Sequence, residues 1–110
     1  MSDVVLVLST VADDEWAEVL ARTLVDERLA ACVNLFAPMV SIYRWKGHVE
    51  RGTERQMVIK TSRGCLPALE ARLCELHSYE LPELVVIAVD EGNAAYLEWV
   101  VDQTGRLDSL

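Results

Sequence analysis

Residues 30–61 read AACVNLFAPMVSIYRWKGHVERGTERQMVIKT, and how this stretch pairs with itself decides the fold. Two β-rich runs, Cys32 to Trp45 and His48 to Thr61, flank Lys46-Gly47. A two-residue reversal demands positive φ, which Gly47 supplies, so the runs form one long antiparallel hairpin. At about 3.4 Å per residue each arm reaches roughly 45 Å, whereas a compact chain of about 100 residues is only ~35 Å across. Part of the hairpin is therefore expected to overhang its own domain.

Alternation along the first arm changes at Pro38. Val33, Leu35 and Ala37 share one parity, Val40 and Ile42 hold the other, and Met39, Tyr43 and Trp45 keep the first. Proline cannot donate to a ladder and occurs at edges and bulges, which places a bend or register change there. Beyond it, apolar side chains on both faces would be wet in a monomer, the usual mark of a subunit interface. The expectation is a homo-oligomer with this arm against a neighbour. The alternative is an arm that curls back over its own sheet.

The chain has 110 residues, 52% of them hydrophobic, with 18 acidic and 10 basic side chains and a net charge of −8. That is enough for one core, so a single domain over residues 1–110 is expected. Nucleic acid needs a basic footprint and is not an expected partner. Met1-Ser2-Asp3 carries no basic leader, and the apolar run Val4–Leu8 is too short for a signal peptide or membrane span. A cytoplasmic protein without membrane contact is the expectation. Cys32, Cys65 and Cys74 form no C-x-x-C pair, which fits reduced thiols.

Around the hairpin the remaining elements fall in order. Val4–Leu8 is a continuous aliphatic strand. Asp13, Asp14 and Glu15 suit the positive end of a helix running to about Arg28, with Trp16 as its core anchor. After Ser62-Arg63-Gly64, Pro67 stands in the first turn of a second helix whose Leu66, Leu69, Leu73 and Leu76 form a buried stripe ending near His77. Pro82 keeps His77–Glu83 a loop. Leu84–Val89 is a strand, and Asn93 caps a last helix, Ala94 to Thr104, stopped by Gly105. The order is an α+β, ferredoxin-like βαββαβ sandwich with an extra C-terminal helix and helices on one sheet face. The other face lacks cover, a second reason to expect subunits packed together.

Glu27–Asn34, Ser41–Gly47, Glu50 with Glu54, Ile59-Lys60-Thr61, His77–Glu83 and Tyr96–Trp99 resemble, in order, blocks of the divalent-cation tolerance (CutA) family. The resemblance implies a ferredoxin-like fold, a homotrimer with interlocking hairpins, and a topology like that of the PII signalling proteins. Three positions depart from the family. Ser78 replaces its usual proline, Ser9 stands where some members have a cysteine implicated in copper binding, and Leu76 precedes His77 where paired histidines occur.

Cys32 and His77 are the candidate metal ligands, with Glu54 and Glu80 as carboxylate partners. Each also has a plain structural reading: a small buried hydrophobe for Cys32, a helix-terminal histidine for His77, a solvated loop carboxylate for Glu80. There is no H-x-x-x-H, cysteine pair or nucleophile elbow, so no enzyme activity is expected. The expected function is that of a homotrimeric divalent-cation tolerance protein. It would bind a divalent ion, copper or zinc, weakly at clefts between subunits, with Met39, Tyr43, Trp45, Lys60, Tyr79 and Trp99 at the cleft or interface. The alternative is a PII-like signalling or scaffold trimer whose Lys60, Arg55 and Arg63 accept a small anionic ligand.

Overall fold

The computed structural model describes residues 2–105, so the expected domain span extends outside the described residues at Met1 and at 106–110. The elements are β1 (Val4–Ala12), α1 (Trp16–Asp26), β2 (Cys32–Leu35), β3 (Met39–Trp45), β4 (His48–Ser62), a 3-10 turn (Arg63–Cys65), α2 (Leu66–Leu76), β5 (Val85–Ala88) and α3 (Ala94–Asp102). The sheet runs β2-β4-β1-β5, with β3 added to the far end of β4, all of it antiparallel. This is the ferredoxin-like sandwich, with its two long strands in the middle.

The first arm of the hairpin is two strands rather than one. Leu35 faces Met57 and Met39 faces Glu54, so the arm spends one more residue than β4 does across the same interval. Pro38 lies inside that extra step, and the Phe36 N–H still reaches the Gln56 carbonyl at 2.9 Å. The insertion exchanges the faces: Val40 and Ile42 now lie opposite to where uninterrupted pairing would put them. At the tip Lys46 and Gly47 have φ of 49° and 83°, both positive as the reversal requires. Beyond Ala12, β4 has no β1 partner, and the molecule measures 47 × 27 × 23 Å. The arm overhangs, with Ile42 72% and Val40 52% exposed in the single chain.

Val5, Val7, Met57 and Ile59 form the floor of the core, and Leu20, Leu24, Leu69 and Leu73 of α1 and α2 pack onto it. On the other face, α3 covers one end through buried Val100, and the Ser62 and Thr104 hydroxyls meet at 2.8 Å. Val85 and Ile87 stay exposed. Ser9 sits fully buried among the core residues of β1, and among the described residues its hydroxyl has no hydrogen-bond partner. A buried hydroxyl without a partner costs about 1–3 kcal/mol. Ser9→Ala is therefore expected to raise the melting temperature, by roughly 4–8 °C for about 1 kcal/mol in a domain of this size. Calorimetry checks it; an unchanged or lower value would mean the hydroxyl is satisfied.

Two features differ from the sequence expectations at α1. Asp13, Asp14 and Glu15 precede the helix, and the Asp14 carboxylate accepts the Trp16 N–H at 2.9 Å. Trp16 is no core anchor: it is 41% exposed, and its indole N–H donates to the Leu76 carbonyl at 2.8 Å, tying the start of α1 to the end of α2. The far end of α1 closes on Arg28 at φ 61°, where the Leu29 N–H reaches back to the Leu24 carbonyl at 3.0 Å. The Arg28 guanidinium then donates to the carbonyls of Asp102 and Gly105, at 2.7 and 3.0 Å, and so caps the negative end of α3.

Glu27 and Arg72 join α1 to α2 by a two-pronged fork, both contacts at 2.8 Å. That hydrogen bonding holds the Glu27 carboxyl below its ordinary range. The folded chain thus releases the Glu27 proton more readily than the unfolded one. The resulting stability is present above the usual carboxylate range and is lost as pH falls through it. Glu27→Gln is expected to flatten the acid side of the stability curve, read as urea midpoints against pH.

Candidate functional site

The candidate site lies where β4 changes partners. Glu54 is the last β4 residue paired with β1, opposite Ala12, and it also faces Met39 at the start of β3. α2 ends close by. His77 leaves that helix in extended conformation while its N–H still donates to the Leu73 carbonyl at 2.8 Å, so the helix terminus fixes where the imidazole starts.

The imidazole is buried, 8% exposed, and its hydrogen bonds specify its tautomer. Nε2 lies 2.8 Å from the Thr10 carbonyl, which can only accept, so Nε2 carries the proton. Nδ1 accepts the Tyr79 N–H at 3.0 Å. The Tyr79 ring packs against the imidazole at 4.7 Å, and its hydroxyl donates to Glu54 Oε2 at 2.7 Å. Burial first, and then that carboxylate, push the Tyr79 phenol well above the ordinary tyrosine range, so it stays a neutral donor. One chain of hydrogen bonds thus joins β1, the end of α2, the following loop and β4.

Above this chain opens a cleft of about 640 Å³. Alternation puts Ser41, Tyr43 and Trp45 of β3 on its hairpin wall; Tyr79, Glu80 and Glu83 form the facing wall, and Glu54 and Thr10 also line it. At the hairpin tip, Lys46 Nζ lies 3.6 Å from Glu80 Oε2 and 5.5 Å from the centre of the Trp45 ring. Ser78, the family's proline position, also lines the cleft.

Of the candidate ligands, the structure brings Glu54 and Glu80 to this cleft and places His77 behind Tyr79, with both ring nitrogens already hydrogen-bonded within the chain. Cys32 is elsewhere, half-buried on β2 opposite Lys60. Among the described residues no three His, Cys, Asp or Glu side chains converge closely enough to hold a metal ion. Tyr43, Trp45 and Tyr79 line the cleft; Met39 lies beside it at the start of β3. Lys60 and Trp99 belong to the α3 end of the sheet, where the Lys60 ammonium lies 5.8 Å from the Tyr96 ring and Tyr96 packs on Trp99 at 5.6 Å. Arg55, proposed for an anion, donates instead to the Phe36 carbonyl at 2.8 Å. The role of Thr10 had no signal in the sequence, since it acts through its backbone carbonyl; Glu83 closes the His77–Glu83 block, with no role expected of it there.

An antiparallel sheet under two helices, a hairpin extended past its domain, and a polar cleft at the hairpin's foot define a ferredoxin-like protein of the PII-like type. Residues 5–103 match the family model for the CutA1 divalent ion tolerance protein. The divalent-cation tolerance protein CutA of Thermus thermophilus is 44% identical over 105 residues, covering 96% of this chain and all (100%) of that one. A solved structure of the Thermus thermophilus divalent cation tolerance protein superposes with a TM-score of 0.89 at 43% identity, over 93% of this chain and 99% of its own. The PII-like protein CutA of Nostoc sp. PCC 7120, in apo form, gives 0.86 at 42% identity over 92% and 97%. The chain belongs to the CutA1 divalent ion tolerance family.

Proposed function

We propose that the protein serves divalent-cation tolerance as a non-enzymatic cytoplasmic homotrimer that binds a divalent ion, copper or zinc, weakly at clefts on the boundaries between copies. The observation that carries this reading is the acidic cleft at the foot of an overhanging apolar arm: Glu54, Glu80 and Glu83 line it, and among the described residues the one basic group seen against it is the Lys46 ammonium at its mouth, 3.6 Å from Glu80 Oε2. Among the described residues, one chain alone falls short of a coordination set. Weak binding, completed by water or by groups from a second copy, is what such a carboxylate array supports. His77 adds a nitrogen ligand only by giving up the Tyr79 N–H, and in this reading its main part is to hold Tyr79 against Glu54. Cys32, on β2, ligates only if a neighbouring copy brings its own residues to that strand.

Titration calorimetry with Cu(II) and Zn(II), alongside a nucleotide panel, tests the proposal on the unmodified protein, Glu54→Gln with Glu80→Gln, and His77→Ala. Metal heat that the carboxylate substitutions abolish supports it. Heat with nucleotide and none with metal would replace it by the anion-binding PII-like reading.

A further inference from the structure

The same cleft offers a second kind of recognition that needs no metal ligands. Tyr43, Trp45 and Tyr79 give it aromatic walls, and Glu54, Glu80 and Glu83 give it negative charge. Those carboxylates do not gather around a point, since among the described residues no group of three metal-ligating side chains shares one ion position. Separated negative charges over apolar walls also match an extended molecule with separated positive charges. A cation of that chemistry is already seated at the mouth: the Lys46 ammonium stands between Glu80 Oε2 at 3.6 Å and the Trp45 ring at 5.5 Å. A ring face attracts an ammonium through its quadrupole, and the carboxylate beside it adds Coulomb attraction between two largely exposed groups, without a hydrogen bond at this distance.

We propose that the cleft binds aliphatic diamines and polyamines. One terminal ammonium displaces that of Lys46 from its place between Trp45 and Glu80, the methylene chain lies along the aromatic walls, and a further ammonium meets the remaining carboxylates. Lys46 is then a resident competitor that the ligand must push out. This goes beyond the divalent-ion reading, uses the same walls, and stands or falls separately from it.

Titration calorimetry with 1,4-diaminobutane and spermidine, at about 0.15 M salt so that diffuse attraction is screened, tests it. Saturable binding is expected, with no heat from the uncharged butane-1,4-diol. Glu80→Gln and Trp45→Ala are expected to weaken binding by roughly 3- to 30-fold, the span of one cation–π or ionic contact. Lys46→Ala is expected to tighten it severalfold. Arg22→Ala is the control: it changes net charge by the same amount, from an exposed position on α1 outside the cleft, and is expected to leave affinity unchanged. No saturable heat would overturn the proposal. So would equal shifts in Lys46→Ala and Arg22→Ala, which is how general attraction to a chain of net charge −8 would behave. Metal heat without amine heat would overturn it and leave the divalent-ion reading standing; amine heat without metal heat would do the reverse.

Discussion

Aspartate at both Val40 and Ile42 is expected to yield a folded monomer, whereas the unmodified chain is expected to run as the proposed oligomer. Both side chains, with Val49 on the facing strand, lie on the hairpin face turned away from the cleft, and in a single chain they are wet. Covering an aliphatic side chain of this size contributes about 1.5–3 kcal/mol, and the gain repeats in every copy. An unpaired carboxylate taken into the same contact costs several kcal/mol instead, so two per chain outweigh what the arm gains. The core lies elsewhere, under α1 and α2, so circular dichroism should still report a folded chain. Sedimentation or light scattering reads the mass. A doubly substituted chain that keeps the unmodified mass would show that this face is not the interface, and an unmodified chain that is monomeric at micromolar concentration would remove the trimer altogether.

Leu73→Ala is expected to have the largest effect on stability of any single truncation near the site. Leu73 is fully buried against the sheet floor, and deleting three carbons from such a position costs about 2–5 kcal/mol in lost transfer energy and residual cavity. That is a large share of the roughly 5–15 kcal/mol that holds a domain folded. The same residue's carbonyl accepts the His77 N–H, so slack in this turn passes to the imidazole and on to Tyr79. Denaturant unfolding measures the stability loss, and a ligand titration on the still-folded fraction should show weakened cleft binding. A loss below about 1 kcal/mol would mean the last turn of α2 closes over the gap.

The hairpin was legible because its signals agree: β-branched arms, glycine at the reversal, and a parity change at Pro38 that the register bears out as one extra residue. The helices were legible in their apolar spacing but not in their ends. Three carboxylates before Trp16 looked like a first turn, whereas Asp14 caps from outside it. β1 was expected to stop at Leu8, where the aliphatic run ends, yet pairing with β4 carries it through Ser9 and Thr10 to Ala12; Thr10 and Val11 suit a strand, and the partner strand sets the length. Trp16 misled for a related reason. Its indole N–H needs an acceptor, and the Leu76 carbonyl that supplies one lies at the end of another helix near the surface.

The candidate site was only half legible. His77, Tyr79 and Glu80 sit in one conspicuous loop, and Glu54 stood out as a carboxylate in the hairpin. What joins them is a backbone carbonyl of Thr10 and a phenol reaching 25 residues back along the chain, neither of which residue spacing can express. The meeting of Lys46 with Glu80 is equally silent in sequence, because the loop that carries Glu80 follows α2, more than 30 residues on from the hairpin tip.

Because β4 runs unbroken for 15 residues from the hairpin tip to the 3-10 turn, while its partner side is interrupted at 36–38, the arm is a stiff spar with one soft flank. β4 carries the tip straight through to Met57 and Ile59 under the helices, whereas its partner side is broken at Pro38. A partner that gripped the arm would therefore also hold a strand of the interior, and pulling on the ribbon is expected to part its two flanks first at that proline.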